Sequence, residues 1–376
     1  MSHEMYATHM RQALELAEQG RGWTSPNPIV GAVIVKDGAV IAKGYHQNFG
    51  GPHAEIHALK EAGEQAKGST LYVTLEPCTH FGKTPPCTDA ILAAGIAKVV
   101  VGAPDPNPKA AGGAALLQGK GLEVVTGVLE EACKFQNAPF YKFMRTGFPL
   151  VTAKWAMSAD GKIATNTGDS RWITSAQARA HAHTLRARND AVIVGIGTVL
   201  NDAPLLTVRM GIEGRDTHHW QPRRVVLDTQ ARMPWNAPLW TAEKGGPITI
   251  FVSKQAPEDR IKLLEEKGAE VIALEEAREH LPVKSVLRAL GERGVTSVLI
   301  EGGAAVLGSC VDQRVVDRAH IFIAPKIIGG TRGLTAVTGR GVDFMHSCPT
   351  MRVDNVQTLG PDVLIEAHLG EWDWLE

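Results

Sequence analysis

The chain has 376 residues, of which 44% are apolar and 21% are charged, and its formal net charge is −1. This length predicts more than one domain, while the composition is that of a globular protein. Because the chain has no basic excess and no apolar run long enough to cross a bilayer, we expect neither nucleic acid nor a membrane as its partner. Five scattered cysteines, and an N-terminus without the pattern of a secretion signal, predict a cytoplasmic protein.

Strand and helix patterns alternate along the first part of the chain. In chain order they predict a helix over residues 5–18, strands over residues 30–35 and 40–44, a helix over residues 53–64, and strands over residues 71–75 and 98–102. Asp37-Gly38 separates the first two strands and is typical of a two-residue hairpin turn. Strands that alternate with helices indicate an α/β layer architecture.

A second series of elements begins after a break near Gly147 and Pro149. Predicted strands cover residues 150–157, 191–195, 224–227, 248–252 and 297–300, and a predicted helix covers residues 283–290. The sequence therefore predicts two α/β domains, one over residues 1–147 and the other over residues 148–376.

Three residues of the first part have the spacing of a metal site: His53, Cys78 and Cys87. One imidazole and two thiolates supply three ligands to Zn²⁺ and leave its fourth position open for water. Glu55, two residues after the histidine, can then carry protons without binding the metal. Zinc-dependent nucleobase deaminases use this constellation, in which H-x-E is followed by P-C-x-x-C. Here eight residues separate the cysteines instead of two, which excludes the commonest subgroup of these deaminases, the one with P-C-x-x-C.

The neighbouring residues predict where these ligands lie. His53 and Cys87 each follow prolines or glycines at a predicted helix start, so that two helix N-termini converge on the metal. His53 and Glu55 can share a site only at a helix end, because side chains two residues apart diverge within a regular helix. The alternative is a structural zinc site that a fourth ligand, such as His57 or His80, closes.

With these motifs the chain resembles, over nearly its whole length, the bifunctional deaminase–reductases of riboflavin biosynthesis. In the first part the matching motifs are Pro26-Asn27-Pro28-x-Val30-Gly31, Gly51-Pro52-His53-Ala54-Glu55 and Glu76-Pro77-Cys78-x-x-x-Gly82-x-Thr84-x-Pro86-Cys87. In the second part they are Ser158-x-Asp160-Gly161, Trp172-Ile173-Thr174, Asp202-x-Pro204-x-Leu206-Thr207-x-Arg209 and Glu301-Gly302-Gly303. The long segment between the cysteines is itself a feature of that family's deaminase domain.

The resemblance implies a cytidine-deaminase-like α/β/α domain followed by a dihydrofolate-reductase-like α/β domain. The first would use Zn²⁺ to deaminate 2,5-diamino-6-(5-phosphoribosylamino)pyrimidin-4-one. The second would use NADPH to reduce 5-amino-6-(5-phosphoribosylamino)uracil to the ribitylamino product. Small phosphorylated pyrimidines are thus the implied substrates, and we expect a homo-oligomer, with the dimer as the commonest state of such enzymes.

The resemblance also implies roles for individual residues. Glu55 would be the catalytic residue, and His53, Cys78 and Cys87 would bind zinc. The deaminase substrate would contact Asn27, His46, His80, Lys83, Asp105 and Asn107. The reductase substrate would contact Ser170, Arg186, Leu206, Arg209 and Glu301. NADPH would contact Ala156, Trp172, Thr198, Asp202, Thr229, Gly303, Ala304, Ala305, Val306, Leu307, Gly308 and Ser309.

Without the resemblance, the second part carries weaker signals. Gly195-Ile196-Gly197 supplies two glycines of a dinucleotide fingerprint, but Leu200 stands where the third is required. A buried strand followed by Glu301-Gly302-Gly303 predicts a helix N-terminus that binds a phosphate, although an ordinary α/β turn has the same pattern. Lys154 and Asp160 are candidate proton donors for a reduction, with Lys154 favoured as a substrate or cofactor contact.

Other interpretations are compatible with the same residues. One is a nucleic-acid-editing deaminase with a C-terminal binding module, against which the neutral charge and the lack of basic–aromatic clusters count. Another is a deaminase whose second half has lost its reductase activity. Asn27 and Asn107 could be plain turn residues, Lys83 a solvated loop charge, and the arginines partners in surface ion pairs.

Overall fold

The computed structural model describes residues 3–81, 85–209, 220–242, 245–275, 280–331 and 333–375. No helix in these ranges has both the length and the apolar character needed to span a membrane. The chain divides into two compact units, one formed by Met1–Gly147 with Asp373–Glu376 and the other by Phe148–Trp372. The first unit is therefore discontinuous in sequence, and Trp374 and Leu375 pack against its core.

Helices and strands alternate in both units, as the sequence predicts. The helices of the described residues are α1 (His3–Glu18), α2 (Ala54–Ala62), α3 (Cys87–Ala93), α4 (Gly113–Gly119), α5 (Glu130–Gln136), α6 (Ala138–Thr146), α7 (Ala176–Ala187), α8 (Ile196–Asp202), α9 (Glu258–Glu266), α10 (Val283–Gly291) and α11 (Ala304–Asp312). The strands are β1 (Gly31–Lys36), β2 (Ala39–Tyr45), β3 (Thr70–Leu75), β4 (Lys98–Ala103), β5 (Glu123–Val125), β6 (Leu150–Ser158), β7 (Ala191–Gly195), β8 (Arg223–Leu227), β9 (Ile248–Ser253), β10 (Glu270–Leu274), β11 (Ser297–Gly302), β12 (Arg318–Ala324), β13 (Met351–Leu359) and β14 (Asp362–Leu369).

The first unit is built on a five-stranded sheet in the order β2-β1-β3-β4-β5. β1 pairs antiparallel with β2 and β3, whereas β3, β4 and β5 run parallel. Apolar residues of α2, α3 and α4 pack on one face of the sheet, and those of α1, α5 and α6 pack on the other. The predicted hairpin is confirmed, since Asp37 and Gly38 have φ values of 50° and 79°. The unit is an α/β/α sandwich.

The second unit contains a nine-stranded sheet in the order β10-β9-β8-β7-β11-β6-β12-β14-β13. The first seven strands in this order, β10, β9, β8, β7, β11, β6 and β12, run parallel. Strands β14 and β13 add an antiparallel edge. Helices α7, α8 and α9 contribute to the core on one face, and α10 and α11 to the core on the other. The prediction of an α/β fold for both parts is confirmed.

The structure differs from the sequence prediction at the end of one helix and in the number of strands. The helix predicted over residues 53–64 ends at Ala62 and continues as a 3₁₀ turn, Gly63–Ala66, because Gly63 adopts a φ of 53°. Five strands were not predicted: β5, β10, β12, β13 and β14. The side chains of the edge strand β13 are mostly exposed, so it lacks the apolar pattern from which the predicted strands were identified.

The sheets place the predicted site residues at their carboxyl edges. Cys78 follows β3 and Asp105 follows β4 in the first unit, while α8 follows β7 in the second. Glu301 lies at the end of β11, next to the start of α11. Parallel α/β sheets bind ligands at this edge, because successive loops converge there.

Candidate active sites

The three predicted metal ligands come together in the first unit. His53 is the residue that precedes α2, Cys87 is the first residue of α3, and Cys78 lies in the segment after β3. One ligand atom from each lies within 4.8 Å of the other two. The Nδ1 atom of His53 is 3.2 Å from the Cys87 sulfur and 3.5 Å from the Cys78 sulfur. The predicted convergence of two helix N-termini on this point is confirmed.

The chemistry of this donor set fits Zn²⁺. Both cysteines are buried, and a hydrogen bond joins their side chains. A hydrogen bond from Cys87 therefore lowers the pKa of the Cys78 thiol to about 4, while the same bond and burial raise the pKa of Cys87. A zinc ion would hold both as thiolates, which are its preferred ligands. Among the described residues neither His57 nor His80 joins this group, so the closed-site alternative is not favoured.

Glu55 lies in the first turn of α2 beside the metal ligands and is 3% exposed. Burial raises the pKa of its carboxyl group, although the nearby His53 opposes the shift. A carboxyl group whose pKa is moved toward neutrality can both accept and return a proton. The residue also lines the cavity next to the metal ligands, where a substrate would lie.

The cavity in the first unit has a volume of about 220 Å³ and brings together most of the predicted substrate contacts. The predicted residues in its wall are Asn27, His46, His53, Glu55, Cys78, His80, Asp105 and Asn107. The side-chain amide of Asn27 lies 3.5 Å from Nε2 of His46, and Nδ1 of His46 lies 3.0 Å from the Pro52 carbonyl oxygen. Lys83, the remaining predicted contact, lies outside the described residues.

Glu76 also lines the cavity of the first unit, although it was not among the predicted contacts. Its two carboxylate oxygens accept hydrogen bonds from the backbone N–H of Ala114, at 2.9 Å, and of Asp105, at 3.3 Å. Asp105 in turn accepts a bond from the N–H of Asn107 at 2.8 Å. Burial raises the pKa of Asp105 to about 6. The motif Glu76-Pro77-Cys78 already contained this signal, because the carboxylate stands two residues from a metal ligand.

The second unit contains a larger cavity, of about 460 Å³, at the carboxyl edge of its sheet. Predicted substrate contacts in its wall are Ser170, Arg186, Arg209 and Glu301, and predicted cofactor contacts are Ala156, Trp172, Thr198, Asp202, Gly303, Ala304 and Leu307. Lys154, one of the two candidate proton donors, also lines it. Three of the four motifs of the second part therefore contribute to one cavity, and Ser158-x-Asp160-Gly161 does not.

Other predicted contacts do not line this cavity as far as the described residues define it. They are Leu206, Thr229, Ala305, Val306, Gly308 and Ser309. Leu206 is buried in the hydrophobic core, so that its side chain packs inside the fold. Gly308 is also buried, because α11 turns that side toward the backbone of Thr338. A helix presents only some of its residues to one ligand, which the continuous range 303–309 did not take into account.

Arg186 and Glu301 form an ion pair in the cavity wall, with side chains that are 14% and 8% exposed. Nε of Arg186 donates to Oε1 of Glu301 and Nη2 donates to Oε2, both at 2.6 Å, and Nη1 donates to the Thr207 carbonyl at 3.0 Å. Burial tends to raise the pKa of Glu301, but Arg186 outweighs it and the net pKa is lowered. Three of the arginine's N–H groups are thus committed within the protein, which limits what remains for a phosphate.

The wall also offers groups that fit NADPH. The first N–H groups of α11 adjoin the cavity at Gly303 and Ala304, and such groups have no partner within their own helix. Gly302 has a φ of 133°, a conformation that favours glycine, and a Cβ added to Gly303 would lie 3.2 Å from Oγ1 of Thr198. The backbone is therefore open to a phosphate, and an exposed aromatic ring is available at Trp172.

The contacts of Asp160 and Lys154 distinguish between these two candidate proton donors. Asp160 accepts hydrogen bonds from the Ser158 hydroxyl, at 2.6 Å, and from the backbone N–H groups of Ile328 and Gly329. These bonds lower its pKa to about 2, so Asp160 stays ionised and holds a loop instead of donating a proton. Lys154, by contrast, is half-buried in the cavity wall, and burial lowers its pKa while the nearby Glu301 opposes the shift.

Both parts of the chain match known families. Residues 3–103 match the family model of the cytidine and deoxycytidylate deaminase zinc-binding region, and residues 149–365 match that of the RibD C-terminal domain. The riboflavin biosynthesis protein RibD of Aquifex aeolicus is 43% identical to this chain, over 97% of this chain and 99% of that protein. The match thus extends through both units.

Solved structures are similar over the same length. That of Acinetobacter baumannii RibD has a TM-score of 0.88 and 35% identity, and covers 98% of this chain and 100% of its own. One from Thermotoga maritima, described as a diaminohydroxyphosphoribosylaminopyrimidine deaminase and 5-amino-6-(5-phosphoribosylamino)uracil reductase, has a TM-score of 0.85 and 40% identity, with coverages of 98% and 99%. This chain belongs to the RibD family of riboflavin biosynthesis proteins.

Proposed function

We propose that the chain is a bifunctional enzyme of riboflavin biosynthesis, with a zinc-dependent deaminase in the first unit and an NADPH-dependent reductase in the second. The deaminase would act on 2,5-diamino-6-(5-phosphoribosylamino)pyrimidin-4-one, and the reductase on the uracil that results. The observation that carries the proposal is the meeting of His53, Cys78 and Cys87 with the buried Glu55 at one cavity. The similarity to two-function relatives over the whole chain supports the pairing of activities.

In the deaminase, Glu55 carries the proton. When bound by the imidazole and the two thiolates, Zn²⁺ supplies a Lewis acid that lowers the pKa of water. Glu55 takes one proton from the attacking water on a carboxylate oxygen and delivers it to the ring nitrogen. It then takes the remaining hydroxyl proton and delivers it to the amino group, which leaves as ammonia while the carbonyl forms. Its raised pKa suits both halves of this transfer. Asn27 and His46, which are neighbours in the wall, orient the pyrimidine ring.

In the reductase, the chain's residues bind and orient. NADPH supplies the hydride when bound. The phosphate of the substrate contacts Arg209, which is exposed and lines the cavity, while Glu301 keeps Arg186 in place beside it. Lys154 lies in the same wall, and its lowered pKa allows its ammonium group to give up a proton more readily. We therefore assign Lys154 the role of proton donor or substrate contact in this step.

A two-signal assay tests the assignment. The zinc-loaded chain is given the diaminopyrimidine substrate and NADPH, and ammonia release and NADPH oxidation are followed together. We expect both signals, with NADPH oxidation dependent on prior deamination. Ammonia without NADPH oxidation would contradict the role of the second unit. NADPH oxidation of the diaminopyrimidine without ammonia would contradict the order of the two steps.

We also propose the setting in which the enzyme acts. The five cysteines are all free, which suits a reducing cytoplasm. A homodimer is proposed because it is the commonest state of enzymes of this size. Analytical ultracentrifugation at micromolar concentration checks the second point, and a monomer under these conditions would contradict it.

A further inference from the structure

A second cluster of metal-ligating side chains lies in the second unit and lines neither cavity. It consists of His181 on α7, His320 on β12 and Glu366 on β14, each with one ligand atom within 4.8 Å of the other two. We propose that this cluster binds one divalent transition metal ion, Zn²⁺ or a close chemical relative, in addition to the ion of the first unit. The proposal does not depend on the two activities proposed above.

The register of the sheet places two of the three ligands. His320 lies directly opposite Glu366 in the antiparallel pair of β12 and β14. Residues in directly opposed positions project from the same face of a sheet. Phe322, two residues along β12, shares that face, and the ring of His181 lies 5.9 Å from its ring. Helix α7 therefore supplies the third ligand from above the same face, and regular elements hold all three.

The spacing of the ligand atoms fits a bound ion. Nδ1 of His320 lies 3.3 Å from Oε1 of Glu366. Ligand atoms about 2.0 to 2.1 Å from a tetrahedral zinc ion are separated by about 3.3 Å. This nitrogen is nevertheless buried without a hydrogen bond to any part of the chain that the structure describes. The two atoms lie within ion-pair distance but not in hydrogen-bond geometry, which leaves both placed to share a third partner.

The surroundings of Glu366 orient its carboxylate as metal sites require. Its Oε2 atom accepts hydrogen bonds from the side-chain amides of Asn355, at 2.8 Å, and Gln357, at 3.4 Å. The other oxygen, Oε1, faces the histidines. Hydrogen bonds like those from Asn355 and Gln357 hold a metal ligand in the orientation that binding requires. The side chains of His320 and Glu366 are 13% and 26% exposed, so an ion and a coordinating water can enter.

The donor atoms of the cluster indicate which class of ion it would bind. It offers one carboxylate and two imidazoles as donors. Ca²⁺ takes six to eight oxygen ligands and Mg²⁺ prefers carboxylates and water, so neither suits this set. Imidazole suits Zn²⁺, Co²⁺, Ni²⁺ and Cu²⁺. The bound ion would tie α7, which also carries Arg186 of the reductase cavity, to β12 and β14.

Cobalt substitution in the full-length chain tests the site, because thiolate ligands give a charge-transfer band that imidazole and carboxylate do not. In the double variant Cys78→Ser/Cys87→Ser we expect one Co²⁺ per chain, with weak visible bands and no thiolate band. Adding His320→Gln should weaken that binding at least tenfold. His368→Gln serves as the matched control, since this histidine lies on the same strand as Glu366 but pairs with Asp354. No stoichiometric Co²⁺ in the double variant, or equal binding after His320→Gln, would overturn the proposal.

A measurement on the unaltered chain covers the case in which the double variant does not fold. Elemental analysis after dialysis against Zn²⁺ should give two ions per chain, falling to one in Glu366→Gln and in His181→Gln, while His368→Gln keeps two. A content of one ion in the unaltered chain means that His320 and Glu366 form only a histidine–carboxylate pair, and the site is then rejected.

Discussion

Arg186 on α7 holds Glu301 at the end of β11 through two parallel hydrogen bonds of 2.6 Å, and most of each side chain is removed from solvent. Removal of one partner leaves the other charge without compensation. We expect Glu301→Gln to lower the free energy of unfolding of the second unit by about 3 kcal/mol. Urea denaturation measures this loss. Glu275→Gln is the control, because Glu275 pairs with Lys254 on the exposed surface and should leave the stability unchanged.

The same pair makes the stability depend on pH. The net pKa of Glu301 is lower in the folded chain, because Arg186 outweighs the effect of burial. The stabilisation is therefore complete above the pKa of an unfolded glutamate, about 4.3, and is lost as the pH falls through the lower folded value. The advantage of the unaltered chain over Glu301→Gln should shrink below about pH 4. A difference that stays constant down to pH 3 would contradict the assigned pKa direction.

Glu55→Gln should separate metal binding from proton transfer. The amide keeps the size of the side chain but cannot exchange a proton, so we expect ammonia release to fall about 10²- to 10⁴-fold. The zinc content should not change. Glu64→Gln, in the 3₁₀ turn that follows α2, is the exposed control and should retain full activity. Loss of zinc from Glu55→Gln would make Glu55 a ligand and refute its role as proton carrier.

Cys87→Ser should inactivate one unit and spare the other. A hydroxyl replaces the sulfur atom that lies 3.2 Å from Nδ1 of His53, so we expect the chain to lose one zinc ion and its ammonia release. NADPH oxidation with the deaminated uracil as substrate should persist. Cys133→Ser alters a buried cysteine that packs beside α6 and should keep its zinc. Loss of both activities in Cys87→Ser, with both retained in Cys133→Ser, would show that the two units do not work separately.

Arg209→Met should affect substrate binding in the reductase more than the chemical step. The side chain is exposed at the cavity, where a charge-assisted bond to a phosphate contributes about 1.5 to 3 kcal/mol. The KM for the uracil should therefore rise about 10- to 100-fold, with little change in kcat. Arg288→Met, whose guanidinium lies over Phe148 outside the cavity wall, is the control. A lower kcat at unchanged KM would place Arg209 in the chemical step instead.

Gly44→Ala should damage the zinc site from a distance. A Cβ at Gly44 would lie 2.3 Å from the Ala54 carbonyl oxygen and 2.5 Å from the Ala58 nitrogen, so α2 must move away from β2. Because α2 begins next to His53, we expect weaker zinc binding together with a loss of about 1 to 3 kcal/mol in stability. Gly119→Ala is the matched control, since a Cβ there meets no atom within 4 Å. That change should be neutral or stabilising by up to about 1 kcal/mol.

Much of the fold was predictable because most strands are buried and apolar. The predicted strands correspond to β1–β4, β6–β9 and β11. The edge strand β13 was not identified, since solvent covers most of its side chains and no apolar pattern results. For the sites, the spacing of His53, Cys78 and Cys87 carried the chemistry directly, because few other residue sets bind zinc in this way.

The cavity of the second unit was less predictable, because its residues come from distant segments without a local pattern. Nothing near Arg186 in sequence indicates that Glu301 engages its guanidinium, and only the packing of α7 beside β11 brings the two together. The range 303–309 contained the correct helix, but not the face that it turns toward the cavity. The cluster of His181, His320 and Glu366 carries no motif at all and depends on strand register.

The return of Asp373–Glu376 to the first unit has a consequence for synthesis on the ribosome. Trp374 and Leu375 pack against the core of that unit, but they follow the whole second unit in the sequence. The first unit can form most of its sheet early, since proteins fold from their N-terminal domains as they emerge. Its final apolar contacts, however, become available only when the whole second unit has been translated. Completion of the N-terminal fold is thereby tied to synthesis of the second unit.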